Sequence, residues 1–185
     1  TPPNEVLEVE TLYTGKKGVY HIHCGPAAHP VTFRMTLLMP AGVSHPPVIV
    51  DGDLCFNYAM DKEWLNAALG QGVALALFDR TELAHDVQHA GRRNGQLYEA
   101  YPDLDCGALA CWAWGYSRVV DALEVIGKTD MNCIAFTGHS RGGKTACLAG
   151  ALDERAAIVN PNETNAGSCS CYRTHLAGQY LNDAP

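Results

Sequence analysis

The chain has 185 residues, which suits one domain of moderate size. Apolar residues make up 47% of it and charged residues 18%, an ordinary globular balance with enough apolar material for a core. The net charge of −7 argues against a nucleic-acid partner, because phosphate backbones are bound by clustered Lys and Arg. No apolar run is long enough to span a membrane, so no membrane partner is expected. No signal peptide is visible in the sequence. A secreted chain whose signal peptide has been cleaved would also show none.

Eight cysteines are a high count for this length. Cys111, Cys133 and Cys147 lie inside apolar runs, where a free cysteine behaves as a small hydrophobic residue. No C-x-x-C pair is present, and the sequence predicts no metal site. Cysteines scattered through apolar segments favour a reducing compartment such as the cytoplasm.

The first half of the chain is rich in predicted strands. Alternating or β-rich patterns at 6–14, 19–24 and 31–40 predict an antiparallel sheet. Short apolar runs at 46–52 and 72–79 have the composition of buried strands. Between these two runs, residues 61–69 predict a short helix.

The second half predicts longer helices. Residues 80–104 are polar and contain Gly and Pro, which predicts a long loop. Apolar residues in 105–126 have the spacing of an amphipathic helix, with Asp105 as a candidate N-cap and Gly127 beyond its end. A buried strand at 133–138, a helix at 140–151 and a strand at 156–161 follow.

Strands that alternate with helices after an antiparallel start predict an α/β fold, with a doubly wound mixed sheet of the α/β-hydrolase type. We count about three strands before residue 46 and about four after it. A full sheet of this type needs about two further strand–helix units after residue 161. We therefore expect residues 1–185 to be a single domain truncated at its C-terminus, with the antiparallel strands in 1–40 and the α/β core in 47–173.

The segment GHSRGGKT, residues 138–145, fits two motifs that both join a strand to a helix. Residues 138–142 fit G-x-S-x-G, the nucleophile elbow, in which a serine on a sharp turn projects its hydroxyl above the sheet. Residues 138–145 also fit the phosphate-binding P-loop. A P-loop usually follows the first strand of its domain and takes an Asp from a later strand, but here the strands ending in Asp51 and Asp79 come earlier. The surroundings therefore favour the elbow.

The elbow interpretation accounts for several neighbouring residues. Gly138 and Gly142 are small where the strand and the helix crowd together, and the helix N-terminus after Ser140 offers amide N–H groups to an oxyanion. Lys144 lies one helical turn after Ser140, where a cation could meet an anionic substrate. The simpler alternative is that Lys144 is a solvated helix residue.

Three stretches of the sequence resemble the glucuronoyl esterase family of carbohydrate esterases. They are GALACWAWGYSRVVDALE (107–124), GHSRGGKTACLAGALDERAAIVNPNE (138–163) and NPNETNAGSCSCYR (160–173). The resemblance covers roughly residues 47–173. The cluster Ser-Arg-x-Gly-Lys together with the helix containing Trp-Ala-Trp-Gly is more specific than G-x-S-x-G alone.

The resemblance implies a role for four residues. Ser140 would be the nucleophile, and Arg141 would help to stabilise the oxyanion. Lys144 would contact the uronic acid sugar. Glu163 matches the family's catalytic acid, whereas without the resemblance it would be interpreted as a surface loop carboxylate.

The resemblance also implies a reaction. The protein would be a serine carboxylic-ester hydrolase acting on glucuronoyl esters of plant cell-wall xylan, through an acyl-enzyme and without a metal or cofactor. Its partners would be small-molecule or polysaccharide esters and the remaining C-terminal half of the same domain. The family is often secreted or periplasmic, which opposes the cysteine argument. The alternatives are an acetyl or other carbohydrate esterase, and an inactive fragment or binding module that lacks the catalytic histidine.

The histidines depart from the family's pattern. Fungal members have a Cys just before the nucleophile, bridged to a Cys beside the catalytic His, and here that position is His139. His139 is itself an alternative base, but it is disfavoured because adjacent residues at such a turn point to different sides. His175 follows the acid loop too early to be the family's base, so we expect the base outside this chain. His85 and His89 would suit a metal if helical, though loop residues are the favoured interpretation. The remaining histidines match no family position: His21, His23, His29 and His45.

Overall fold

The computed structural model describes residues 6–13, 17–87 and 93–164. Within these ranges the strands are β1 (Val6–Tyr13), β2 (Lys17–Cys24), β3 (Val31–Leu38), β4 (Val48–Asp51), β5 (Ala74–Phe78), β6 (Ile134–His139) and β7 (Ala156–Asn162). They form one sheet in the order β1-β2-β3-β5-β4-β6-β7. The neighbouring strands β1, β2, β3 and β5 pair antiparallel, in that order. The neighbours β5, β4, β6 and β7 pair parallel. The predicted three initial and four central strands are confirmed.

Four α-helices connect the strands: α1 (Lys62–Gly70), α2 (Gln96–Ala100), α3 (Ala108–Ile126) and α4 (Arg141–Leu152). Short 3-10 turns cover Asn57–Met60 and Arg80–Glu82. From β4 the chain moves through α1 to β5 on one side, and then through α3 and α4 to β6 and β7 on the other. Because parallel crossovers are right-handed, this reversal places α1 on the opposite face of the sheet from α3 and α4. The sheet is therefore doubly wound, as predicted.

Helix α3 is the centre of the core. Its buried face includes Trp112, Tyr116 and Leu123, and the Trp112 indole N–H donates to the Ala84 carbonyl at 2.7 Å. The Tyr116 hydroxyl accepts from the Gly52 N–H at 3.0 Å and donates to the carbonyl of residue 137 at 2.7 Å. These two bonds tie the end of β4 to the end of β6. Helix α3 thus fixes the sheet edge at which the G-x-S-x-G motif lies.

Two sequence predictions in the connecting segments are wrong. Asp105 does not cap α3: its carboxylate pairs with Arg93, and Gly107 is the N-cap residue. The predicted loop 80–104 contains the 3-10 turn at Arg80–Glu82 and the helix α2. Helix α2 is held because Gln96 bonds to both backbone groups of Thr32 at 3.0 and 2.9 Å. These contacts to a distant strand cannot be recognised from local composition.

The described cysteines are all free thiols. Cys111 is buried and Cys147 is partly buried, as suits a small hydrophobic residue, whereas Cys133 is exposed although it lies in an apolar run. Cys169 and Cys171 lie outside the described residues. None of the helices in the described ranges combines the length and apolarity needed to cross a membrane.

Candidate active site

The G-x-S-x-G segment forms a sharp turn between β6 and α4. Strand β6 ends at His139 and α4 begins at Arg141, so Ser140 is the single residue between them. Its backbone has φ 54° and ψ −115°, a conformation that is strained for any residue with a side chain. Ser140 is exposed and donates its N–H to the Asn162 carbonyl at 2.8 Å. This strand, strained serine and helix are the geometry of a nucleophile elbow.

The same geometry contradicts the P-loop interpretation. A P-loop needs several consecutive loop residues between strand and helix, whose N–H groups surround the phosphates. Here residues 141–143 already belong to α4, and Lys144 donates its N–H to the Ser140 carbonyl at 3.0 Å as part of the helix. The segment therefore lacks the loop that would hold a nucleotide.

The glycines of the motif are required by close packing, as predicted. A Cβ on Gly138 would lie 2.6 Å from the backbone of Gly142, and a Cβ on Gly142 would collide with the Asp53 carboxylate. A Cβ on Gly143 would meet the carbonyl of Gly138 at 2.8 Å. Helix α4 thus approaches β6 closely enough to hold Ser140 in its strained conformation.

A buried carboxylate supports the turn from below. Asp53 is fully buried, and its Oδ2 accepts the N–H of His139 at 2.6 Å. The same carboxylate pairs with Arg80, which is 1% exposed and stacks over the Trp112 ring at 4.7 Å. Burial lowers the pKa of Arg80, while the neighbouring Asp86 carboxylate is among the groups that raise it. Sequence reasoning missed this ion pair; the only signal was a pair of carboxylates, 51 and 53, closing a buried strand.

Arg141 is connected to that ion pair through Asp86. The Arg141 Nε lies 3.3 Å from Asp86 Oδ1, and Asp86 Oδ2 lies 3.4 Å from Arg80 Nη2. Asp86 is 16% exposed and Arg141 is 27% exposed, so the contact is partly shielded from water. Asp86 therefore orients the Arg141 guanidinium, the group predicted to face the oxyanion.

Lys144 is not a solvated helix residue. It is 7% exposed, on the second turn of α4. The simpler alternative to a substrate contact is therefore wrong. A buried lysine one turn from Ser140 is suited to an anionic group, although its contact with a sugar remains a prediction.

Glu163 lies beside the elbow because β7 pairs with β6. The register places His139 opposite Asn162, so Glu163 follows at the level of Ser140. Glu163 has φ 48°, and its side chain is 77% exposed. Its Oε2 lies 3.9 Å from His139 Nε2. The structure therefore brings Glu163 next to the turn, at the edge formed by the strand ends.

His139 is held away from a simple serine–histidine pair. Its ring packs edge-on against Tyr58 with centroids 5.5 Å apart, and its Nδ1 lies 3.3 Å from Asn162 Nδ2. In the part of the chain that the structure describes, no histidine is hydrogen-bonded to the Ser140 hydroxyl. His85 lies in irregular structure rather than a helix, and both His89 and His175 fall outside the described residues.

A cleft of about 300 Å³ opens beside the elbow. At its base, burial raises the pKa of Asp51 to about 7, and Arg80 opposes that shift. The Asp51 carboxyl therefore changes charge near neutral pH. Other lining residues include Tyr58, Asp61, Trp64, Gly138, His139 and Asn162.

Known proteins resemble this chain over most of its length. A family model for fungal glucuronyl esterases matches residues 22–183. The chain belongs to the glucuronyl esterase family. The 4-O-methyl-glucuronoyl methylesterases of Hypocrea jecorina and Phanerochaete carnosa are 34% and 35% identical to it, over 82% and 93% of this chain. Those alignments cover only 32% and 42% of the relatives, so the chain spans less than half the length of these esterases.

Solved glucuronoyl esterases share the fold. A carbohydrate esterase family 15 enzyme from Caldicellulosiruptor kristjansonii has a TM-score of 0.76 at 30% identity, covering 97% of this chain and 50% of its own. The catalytic domain from Hypocrea jecorina has a TM-score of 0.72 at 32% identity, covering 94% and 46%. A serine-to-alanine variant from Sporotrichum thermophile, solved with methyl 4-O-methyl-β-D-glucopyranuronate, has a TM-score of 0.72 at 26% identity, covering 92% and 44%. The predicted resemblance and the α/β-hydrolase-type fold are confirmed.

Proposed function

We propose that the protein is a serine carboxylic-ester hydrolase that cleaves glucuronoyl esters, such as those between xylan uronic acids and lignin alcohols. The observation that carries this proposal is the strained Ser140, exposed between β6 and α4 and followed by two cationic residues on α4. The glucuronoyl esterases to which the chain is similar support the substrate class. An esterified uronic acid carries no charge of its own, but cationic side chains near the nucleophile can donate hydrogen bonds to its sugar hydroxyls and stabilise the negative charge that develops in the transition state.

In the proposed reaction the Ser140 hydroxyl attacks the ester carbonyl carbon while a histidine accepts its proton. Negative charge then develops on the carbonyl oxygen, where the Arg141 guanidinium and the first amides of α4 stabilise it. The same histidine donates its proton to the departing alcohol, which leaves a glucuronoyl ester on Ser140. Water releases the acid by the reverse sequence, and no metal or cofactor takes part.

Glu163 is the proposed acid that orients the catalytic imidazole and stabilises it when charged. We propose that this imidazole belongs to a histidine outside these 185 residues. Among the described histidines only His139 lies near Glu163, and its ring is packed against Tyr58. The exposed side chain of Glu163 has room to accept a bond from another imidazole. Residues 1–185 would accordingly form one part of a single α/β-hydrolase domain.

Lys144 is the proposed contact for the uronic acid sugar. Its side chain is buried on α4, one helical turn after Ser140. Arg141 immediately follows Ser140 and is held by Asp86. The two cations would therefore act on different parts of the same substrate.

A comparison of substrates tests the proposal. The full-length protein should hydrolyse methyl 4-O-methyl-glucuronate with a higher kcat/KM than acetylated xylan, and Ser140→Ala should abolish both activities. A preference for acetylated xylan would make the protein an acetyl esterase with the same elbow. Binding without turnover of either ester would identify a binding module, and the esterase proposal would be wrong.

A further inference from the structure

Three side chains that can ligate a metal meet on β1 and β2, near the edge of the sheet that is opposite the elbow. Glu10 pairs directly with His21 across the two strands, and His23 lies two residues further along β2, on the same face. His21 Nδ1 lies 3.8 Å from Glu10 Oε2, and His23 Nε2 lies 3.7 Å from the same oxygen. One donor atom from each residue falls within 4.8 Å of the other two.

The spacing of these atoms is close to what a metal requires. Bonds of about 2.0–2.1 Å from zinc to nitrogen or oxygen separate tetrahedral ligand atoms by about 3.4 Å. The two distances to Glu10 exceed this value by only a few tenths of an ångström. Rotation of these side chains, of which Glu10 is exposed and the two histidines are half-buried, would bring all three donor atoms to ligand spacing. Two imidazoles and one carboxylate are a ligand set that zinc accepts, with water in the fourth position.

A hydrogen bond behind His23 prepares it for ligation. Its Nδ1 lies 3.0 Å from the Thr32 hydroxyl on β3. When Nδ1–H donates to that oxygen, the unprotonated Nε2 faces Glu10. Ligating histidines are commonly oriented in this way by a bond to the other ring nitrogen.

The charges around the cluster favour a cation. Arg34 lies opposite His21 on β3 and brings one positive charge. The opposing negative charges are those of Glu10 and Glu82, and the Glu82 carboxylate accepts the backbone N–H of Arg34 at 3.1 Å. With neutral imidazoles, two carboxylates and one guanidinium leave a net negative charge.

We propose that Glu10, His21 and His23 bind one Zn²⁺ ion that fastens the edge strand β1 to β2. The site lies four strand positions from β6, about 19 Å at roughly 4.8 Å per strand, too far to touch an ester at Ser140. The ion is therefore structural and does not take part in the hydrolysis proposed above. A metal here links two strands through side chains, in addition to their backbone hydrogen bonds.

Calorimetric titration of the chelator-treated full-length protein with ZnSO₄ tests this site. The wild type should bind one Zn²⁺ that His21→Ala and His23→Ala each lose, and Zn²⁺ should raise the Tm of the wild type but not of these two variants. His29→Ala is the matched control, because His29 is exposed and outside the cluster, and it should bind as the wild type does. Any background binding to cysteines should be equal in all four proteins.

Two further measurements separate a built site from incidental histidines. Thr32→Val should weaken Zn²⁺ binding by about 10-fold, because it removes the hydroxyl that orients His23. Ester hydrolysis by the full-length protein should be unchanged in His23→Ala. Equal Zn²⁺ binding in the wild type and His23→Ala, or no binding by the wild type, would overturn the proposal.

Discussion

The two sides of Ser140 differ in how far their charged groups are enclosed. Beneath the turn, Asp53 and Arg80 are 0% and 1% exposed, and their network continues through Asp86 to Arg141. On the β7 side, the Glu163 side chain is 77% exposed and that of His139 is 38% exposed. The enclosed side holds the turn in place. The open side presents the exposed Glu163 side chain, which can meet a substrate or a further part of the protein.

The largest expected effect is on the open side. Glu163→Ala in the full-length protein should lower kcat by about 10⁴-fold, because the catalytic imidazole loses the group that orients it. The free energy of unfolding should change by less than about 0.5 kcal/mol, since the side chain is exposed. Steady-state kinetics and urea denaturation measure the two quantities. An unchanged kcat would remove Glu163 from the mechanism.

On the enclosed side, the expected effect is a loss of stability. Asp53→Ala should destabilise the protein by about 3–5 kcal/mol, because Arg80 would remain buried without its carboxylate. The His139 N–H would also lose its acceptor. Urea denaturation of Asp53→Ala beside Glu163→Ala gives the comparison directly. If both variants are equally stable, the enclosed network does not support the elbow.

Replacing each of the two cations on α4 should change a different kinetic constant. Arg141→Ala should lower kcat by about 10²–10³-fold, because negative charge on the carbonyl oxygen develops only in the transition state. Lys144→Ala should mainly raise KM, because a contact with the sugar is made in the ground state and the transition state alike. Kinetics on a uronate ester separate the two. A loss confined to kcat in both variants would contradict the division of roles.

A smaller effect is expected on how the stability of the protein depends on pH. Burial raises the pKa of Asp51 to about 7, above its unfolded value of about 3.9, so the folded state binds this proton more tightly. Stability from this group is therefore present at low pH and is lost as pH rises towards 7. Asp51→Asn cannot ionise, and it keeps an oxygen for the Asp53 N–H. The free energy of unfolding of Asp51→Asn, relative to that of the wild type, should therefore increase by about 2–3 kcal/mol between pH 5 and pH 8. An equal difference at both pH values would contradict the raised pKa.

The fold could largely be predicted from the sequence, because its strands and helices have strong local patterns. The run at 72–79 contains β5, and the predicted helix at 140–151 differs from α4 by one residue at each end. The cap of α3 could not be predicted, since Asp105 is drawn to Arg93. The helix α2 was missed because contacts with a distant strand hold it.

The candidate site could be predicted only in part. Ser140 and its glycines follow from a local motif whose crowding the structure confirms. Asp53, Arg80 and Asp86 could not be found, because isolated charges in a sequence do not show which partners bury them. The roles of Arg141, Lys144 and Glu163 come from the family resemblance and remain predictions.

The most direct test of the central claim is to label the nucleophile of the full-length protein. A fluorophosphonate reacts covalently with an activated serine, and peptide mass spectrometry locates the modified residue. We expect one label per chain, on the peptide that contains Ser140, and we expect methyl 4-O-methyl-glucuronate to protect against it. A label on another residue, or active protein that leaves Ser140 unmodified, would contradict the assignment of Ser140 as the nucleophile.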